Sequence, residues 1–143
     1  RTDLSRHLAK FPKDRYLLNN MAPVALVTEN VTIIRGRASE GFPFLEDVPS
    51  KITVISIAPK EPSLEDHDGS SHYTHAGRRE MVVRIKVMLQ AVVQSKCDAV
   101  VLTAFGCGTK HPMEQVAVIF KEEIQKISSE IPFIVFAVPD EQT

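Results

Sequence analysis

The chain has 143 residues, of which 43% are hydrophobic and 24% charged, a composition that predicts one folded domain and excludes a disordered chain. The formal net charge of -1 provides no general attraction to nucleic acid or to an anionic membrane, so we expect neither as a direct partner. Two cysteines give no disulfide framework, and no apolar run approaches the roughly 18 residues that a membrane-spanning helix needs. These features predict a cytoplasmic or nuclear protein.

The first residues predict a short helix over Leu4 to Phe11, which Pro12 limits because proline cannot continue the hydrogen-bond ladder. The chain begins at Arg1 without an initiator methionine, and Leu4, Leu8 and Phe11 already share one helical face. We therefore expect further residues upstream of Arg1 in the intact protein.

Short apolar runs predict the first strands. Val24 to Val27 and Val31 to Ile34 form either a hairpin or one bent strand, because Glu29-Asn30 between them has turn chemistry. Ile52 to Ile57 predicts a further strand.

Two polar stretches predict connections between elements. Residues Gly36 to Ser50 are rich in glycine, proline and charge, although we expect Phe42, Phe44 and Leu45 to return to the core. Residues Lys60 to His75 predict a long polar loop, and a loop of this length is either functional or mobile.

The second half of the chain predicts alternating helices and strands. An amphipathic helix from Gly77 to Lys96 precedes a central parallel-type strand at Ala99 to Thr103, a helix from Pro112 to about Ser128 and a closing strand at Phe133 to Val138. This order predicts a right-handed α/β layer fold. The expected buried residues of the two helices are Met81, Ile85, Met88, Leu89, Val92, Val116, Phe120, Ile124 and Ile127. The expected solvated basic face of the first helix is Arg78, Arg79, Arg84 and Lys86.

The connection between the central strand and the second helix predicts an anion site. Gly106 and Gly108 lack a Cβ, so their backbone can approach a ligand closely and adopt positive φ. The helix that begins near Pro112 presents unpaired N–H groups and the positive end of its dipole. A phosphate or diphosphate is the expected guest, and a plain turn without a ligand is the alternative.

Several segments together resemble the microbial-type poly(ADP-ribose) glycohydrolase family, a branch of the macrodomain fold. The most specific is Ala104-Phe-Gly-Cys-Gly108 in front of a helix, within the run from Arg79 to Ala117. Arg1-Thr-Asp-Leu4, Val31 to Arg35 and Ile52 to Pro59 are similar to further segments of that family. The resemblance implies a single macrodomain-like domain over residues 1–143, α/β in class, with three α/β/α layers, a mixed central sheet and an incomplete N-terminus.

The resemblance also implies a ligand, ADP-ribose or an ADP-ribosylated protein, and no cofactor. Its diphosphate would be held by the backbone of Gly106, Cys107 and Gly108 and by the Thr109 hydroxyl. Where the family has an aromatic residue and then Asn, this chain has Thr109-Lys110-His111-Pro112 and is about one residue shorter, so Lys110 or His111 would face the diphosphate instead. These six residues, Gly106 to His111, are the predicted ligand-binding set.

No catalytic residue is assigned. Cleavage of a ribosyl bond needs a positioned carboxyl group, and the family carries it in a Gln-Glu-Glu element that would lie before Arg1. Neither Glu40 nor Glu46 stands where the family places that group. Whether the chain belongs to an enzyme is therefore open: it is part of a hydrolase if the element is supplied, and otherwise a non-catalytic nucleotide-binding or protein-interaction module.

An incomplete fold would expose a sheet edge and apolar area, so we expect a homodimer or pairing with the chain's own N-terminal fragment.

Two other groups of residues in the sequence have side chains suited to chemistry. His67, His72 and His75, with Asp66 and Asp68, invite a zinc site but lack regular ligand spacing, and solvated loop histidines are the expectation, with no metal. Cys107 next to a helix start could be a nucleophile, and a packing thiol is the alternative that we favour.

Overall fold

A computed structural model of the chain describes residues 6, 9–10, 23–46, 51–131 and 133–138. These residues form an α/β structure. Its elements are β1 (Leu26–Thr32), β2 (Lys51–Ser56), β3 (Leu64–His67), β4 (Ser70–Tyr73), α1 (His75–Gln94), β5 (Ala99–Thr103), α2 (Met113–Gln125) and β6 (Phe133–Ala137). The predicted helix over Leu4 to Phe11 lies, apart from isolated positions, outside the described residues.

The strands form three two-stranded sheets. β1 pairs antiparallel with β2, β3 pairs antiparallel with β4, and β5 pairs parallel with β6 in register from Ala99 opposite Phe133 to Thr103 opposite Ala137. The predicted parallel strand is thus confirmed, with α2 as its crossover. Its predicted central position is wrong for the described residues, because β6 is the one neighbour of β5 there and β2 packs against α1 instead.

β1 is one bent strand, which decides between the two predicted alternatives. Its register against β2 shifts between Thr28 and Val31, and Asn30 between them has φ +57°. Asparagine tolerates this left-handed conformation better than most residues, so the strand accommodates the extra residues as a bulge and continues.

The predicted long loop from Lys60 to His75 is wrong, because it contains the hairpin of β3 and β4. Asp68 and Gly69 form its two-residue turn, with φ +49° and φ +78°. Two successive positive φ values suit the turn that matches the twist of the flanking strands, and Asp-Gly is a preferred sequence for it. The hairpin ends at Tyr73, directly before α1.

Helix α1 packs its predicted apolar stripe into the core. The Thr74 hydroxyl caps the helix by accepting a 3.0 Å hydrogen bond from the Gly77 N–H, and the Thr74 N–H donates to the Ser63 carbonyl. A Cβ at Gly77 would overlap that carbonyl, so glycine permits this close approach. The buried core is Tyr73, Met81, Ile85, Met88, Leu89, Leu102, Val116, Ile119 and Phe120, with Ile124 and Ile127 partly buried against it.

The segment before β2 does not return to the core. Phe42, Phe44 and Leu45 are exposed, which corrects the prediction made for them. The Arg35 guanidinium lies 3.6 Å above the Phe44 ring and donates a hydrogen bond to the Phe42 carbonyl, so a cation and the ring stack on each other at the surface.

Within the described ranges, the other elements leave one face of the β5–β6 sheet uncovered. Val101 is 65% exposed, Phe133 68% and Val135 53%, while the alternate residues Leu102 and Ile134 face the helices. Parallel sheets usually carry cover on both faces, so this apolar face is unusual. Among the described residues, the helices are too short or too polar to cross a membrane.

Candidate functional site

The predicted ligand-binding residues lie together between the carboxyl end of β5 and α2. We call Gly106–Lys110 the glycine loop. Residues 107–109 form a 3-10 turn, flanked by Gly106 at φ +90° and Lys110 at φ +59°. Ligands of α/β folds bind at the carboxyl ends of parallel strands, so the loop stands where such a site is expected.

The loop is closed by its own backbone. The Cys107 N–H donates to the Ala104 carbonyl at 3.2 Å, and both the N–H and the hydroxyl of Thr109 donate to the Gly106 carbonyl at 3.0 Å. These bonds commit the Cys107 and Thr109 donors to the fold of the loop. Gly108 is the loop residue between them whose N–H these bonds leave unused.

Gly108 stands in open space. A Cβ built there would meet nothing within 4 Å, and its φ lies outside the positive range. Cys107, Gly108 and Lys110 are exposed. A side chain at position 108 would therefore enter the space above the loop without disturbing the backbone.

Helix α2 begins directly after the loop. Pro112 stands at its N-cap and has no side-chain acceptor to satisfy the first N–H groups of the helix. The resulting positive end favours a negative charge. Glu114 in the first turn supplies one carboxylate there, so a ligand would share this end with a charged side chain.

Gly106 is fixed by His111 beneath it. A Cβ at Gly106 would lie 3.0 to 3.2 Å from three carbons of the His111 side chain, tighter than ordinary contact, and the φ of +90° disfavours any side chain. The His111 side chain is 7% exposed. It therefore supports the loop from inside, whereas Lys110 is the residue of the pair that reaches solvent.

His111 is held by Tyr73. The Tyr73 hydroxyl lies 2.5 Å from His111 Nδ1, and the two ring centroids are 5.6 Å apart. Burial raises the pKa of Tyr73 well above its ordinary value of 10, so the hydroxyl keeps its proton. When the neutral imidazole carries its own proton on Nε2, the hydroxyl donates to Nδ1.

His111 Nε2 is buried and makes no hydrogen bond within the described residues. Beside it is a cavity of about 10 Å³, space for roughly one water molecule. Lys60, Ser63, Glu80 and Arg84 are among the residues that line it. Burial lowers the pKa of His111 most, the Lys60 backbone raises it, and the cationic Arg84 lowers it by a smaller amount.

Arg84 is buried, which corrects the prediction that it lies on a solvated helix face. It is 4% exposed, and its Nη1 donates a 3.0 Å hydrogen bond to the Ala58 carbonyl at the end of the strand β2. Glu80 raises its pKa electrostatically, although burial lowers it more. The arginine side chain is long enough to reach past the helix surface, so its guanidinium can donate to a backbone carbonyl outside the helix.

Gln115 of α2 adds a second tie to the hairpin. Its Oε1 accepts from the Tyr73 N–H at 3.1 Å, and its Nε2 lies 2.6 Å from His72 Nδ1. The end of β4 is thus joined to the start of α2 by two side chains, Gln115 and His111. The glycine loop ends at Lys110, directly before His111.

The residues considered for a zinc site and for a nucleophile lie mainly in the β3–β4 hairpin and in the glycine loop. Asp66 accepts from the Ser71 hydroxyl, and the His67 and His72 rings meet edge to face, with centroids 6.4 Å apart. In the described part of the chain, no group of three His, Cys, Asp or Glu residues is arranged to hold a metal ion. Cys107 is exposed, with its Sγ 3.5 Å from Met113 Sδ, so it is not the packed thiol that we favoured.

No protein family and no curated protein matches the sequence. The chain's own geometry is therefore the basis for a functional assignment.

Sequence reasoning located the loop and the start of α2, because glycines after an apolar strand are a local signal. It missed Tyr73, Arg84 and Gln115, which act across sequence separations that no local pattern reports. Asp68-Gly69 was the available signal for the hairpin that brings Tyr73 to the loop.

Proposed function

We propose that this chain is a macrodomain-like module that binds ADP-ribose, with the diphosphate on the glycine loop and the amino-terminal end of α2. The observation that carries the proposal is the exposed Gly108 in the loop that precedes a helix start without a side-chain cap. The resemblance of Ala104 to Gly108 to a poly(ADP-ribose) glycohydrolase segment supplies the ligand class.

Each predicted residue has a role in this proposal. Gly108 offers its N–H to the diphosphate, and Lys110 adds a mobile positive charge at the rim of the loop. Thr109 and Cys107 shape the loop, and the Thr109 hydroxyl oxygen retains a lone pair with which to accept a hydrogen bond. His111 acts on the ligand indirectly, through Gly106.

The chain acts in binding rather than in bond cleavage. Hydrolysis of an ADP-ribosyl bond would need a carboxyl group positioned at the ribose, and we assign none here. An ADP-ribosyl hydrolase would therefore require a catalytic segment in addition to these residues, and the proposed ligands are free ADP-ribose and ADP-ribosylated protein.

Calorimetric titration with ADP-ribose tests the proposal, with three variants at one position. Gly108→Glu should weaken binding by about tenfold or more, since a repulsion of only 1.4 kcal/mol is tenfold in affinity. Gly108→Gln has nearly the same size without the charge, and Gly108→Ala tests the loss of glycine alone. Because position 108 is open, all three should fold.

Affinity that decreases from Gly108→Ala to Gly108→Gln and again to Gly108→Glu would support a diphosphate above Gly108. Saturable binding that Gly108→Glu leaves unchanged would place the ligand elsewhere. Absence of binding to folded wild-type protein would contradict the proposed function.

A second candidate, a protein-interaction module, is favoured by the uncovered face of the β5–β6 sheet. Val101, Phe133 and Val135 place apolar side chains on it without a charged residue among them. Light scattering over a range of concentrations tests this candidate: self-association that Val101→Lys abolishes would support it, and a wild-type monomer at all concentrations would count against a homodimer through this face.

A further inference from the structure

His111 joins the glycine loop to the rest of the fold in three directions. Its side-chain carbons pack under Gly106, its Nδ1 meets the Tyr73 hydroxyl, and the residue also lines the small cavity. A residue with these contacts determines how firmly the loop is held.

The direction of the hydrogen bond between His111 and Tyr73 depends on the protonation state of the ring. A neutral imidazole with its proton on Nε2 accepts from Tyr73 through the Nδ1 lone pair. When Nδ1 takes a proton from solvent, that lone pair is consumed, and the Tyr73 hydroxyl loses its acceptor. The contact can then re-form only if the hydroxyl proton turns to another acceptor in a buried site.

Among the charged groups around the ring, Arg84 opposes a second cation. From α1, Arg84 and Glu80 face the cavity, and from the segment before β3, Lys60 and Glu61 do. Lys60 Nζ lies 2.6 Å from Glu80 Oε1, so that carboxylate is already paired with a cation. From β4 the neighbouring titratable group is Tyr73, and on the ring's own segment it is the exposed Lys110.

We propose that His111 is an acid-sensitive anchor of the glycine loop, which the neutral ring holds in place through Tyr73 and which protonation of Nδ1 releases. In the released state the imidazolium moves toward solvent, and Gly106 loses the support beneath it. Binding of a diphosphate to the loop then weakens as the solution is acidified. This last consequence rests on the proposed function, whereas the release of the loop does not.

The direction in which the pKa of His111 is shifted agrees with this proposal. Burial, and then Arg84, lower the pKa of His111 from the ordinary value of 6.5, so the ring is neutral and the loop is anchored at neutral pH. Release therefore follows at a pH below 6.5.

Hydrogen exchange of the ligand-free protein is the first experiment. Protection factors of the Cys107 and Thr109 amides, whose hydrogen bonds close the loop, are corrected for the intrinsic pH dependence of exchange and measured between about pH 7.5 and pH 5. In wild type, protection should fall in acid. In His111→Gln, whose amide oxygen can accept from Tyr73 but does not titrate, it should stay constant.

Three further variants make the result specific. Tyr73→Phe should show low protection at every pH, which keeps the test decisive if His111→Gln does not fold. His67→Gln, an exposed histidine of the same hairpin, should behave as wild type. His72 also touches α2 through Gln115, so pH dependence that is lost in His72→Gln and kept in His111→Gln would overturn the proposal.

Titration with ADP-ribose over the same pH range is the second experiment, and the charge of its diphosphate diester is constant there. If only the anchored loop binds, the apparent Kd should rise about tenfold per pH unit once the ring is mostly protonated, and stay flat in His111→Gln. Loop protection that depends on pH, in a protein that does not bind ADP-ribose, would support the anchor and refute the proposed function. Binding that is independent of pH in wild type would refute the anchor alone.

Discussion

The Tyr73 hydroxyl and His111 Nδ1 lie 2.5 Å apart and connect two residues that are 38 positions apart in the chain. Tyr73 ends the β3–β4 hairpin, and His111 stands between the glycine loop and α2. The pair is buried, so it links the hairpin to the loop from inside. The loop therefore depends on an element that the sequence separates from it by the whole of α1 and β5.

Tyr73→Phe should destabilise the protein by about 1–3 kcal/mol, the usual cost of leaving a buried polar group without its partner. The variant keeps the ring but leaves His111 Nδ1 without a donor. Ser71→Ala removes an exposed hydroxyl from the same hairpin and should change stability by less than about 0.5 kcal/mol. Urea unfolding of both variants measures the difference, and equal midpoints for Tyr73→Phe and wild type would contradict the prediction.

Gly106→Ala should cost about 1–3 kcal/mol, because φ +90° is strained for alanine and its Cβ would press on the His111 ring. Gly108→Ala adds the same methyl group two residues away, in open space, and should stay within about 0.5 kcal/mol of wild type. Thermal or urea unfolding of the matched pair checks this contrast. Similar losses in both variants would mean that the loop does not lie on His111 as described.

Patterns that repeat along the chain predicted much of this fold. The spacing of Met81, Ile85, Met88 and Leu89 identified α1 and its buried stripe, because a helix places such residues on one face. The glycines at 106 and 108 marked the loop before α2. In both cases the physical cause is local, and the sequence carries it within a few residues.

Arg84 shows where such reasoning stops. It lies between stripe positions and carries a charge, which favours a solvated position, yet the Ala58 carbonyl at the end of β2 offers it a buried acceptor. Whether an arginine finds such an acceptor depends on how two distant elements pack. The Tyr73–His111 contact is unpredictable for the same reason. The pairing of the described strands in three separate sheets rather than one is a further outcome of packing that strand patterns alone do not specify.

The stability of the protein should fall as the pH drops below about 6.5. The pKa of His111 is lowered in the folded state, so the unfolded chain takes up the proton first, and acid then favours unfolding. This one group contributes at most about 1.4 kcal/mol per pH unit, and its contribution is fully present above its ordinary pKa. Urea unfolding at several pH values measures the slope.

The comparison that isolates this slope uses His111→Gln, which cannot take up the proton. The unfolding free energy of the variant should therefore fall less steeply in acid than that of wild type, whatever the stability of the variant at neutral pH. Parallel curves for wild type and variant would assign the acid sensitivity to other groups.

Arg84→Met should raise the pKa of His111 toward its ordinary value, because the Arg84 cation is one cause of the lowered pKa. Burial remains in the variant, so the pKa should move in this direction without reaching that value. The Ala58 carbonyl also loses its donor, which should cost about 1–3 kcal/mol of stability. Arg79→Met removes an exposed cation of the same helix and should change neither quantity appreciably. An NMR titration of the His111 ring in the three proteins decides the matter: an unchanged or lower pKa in Arg84→Met would show that Arg84 does not act on the ring, and would leave burial as the cause of its neutrality.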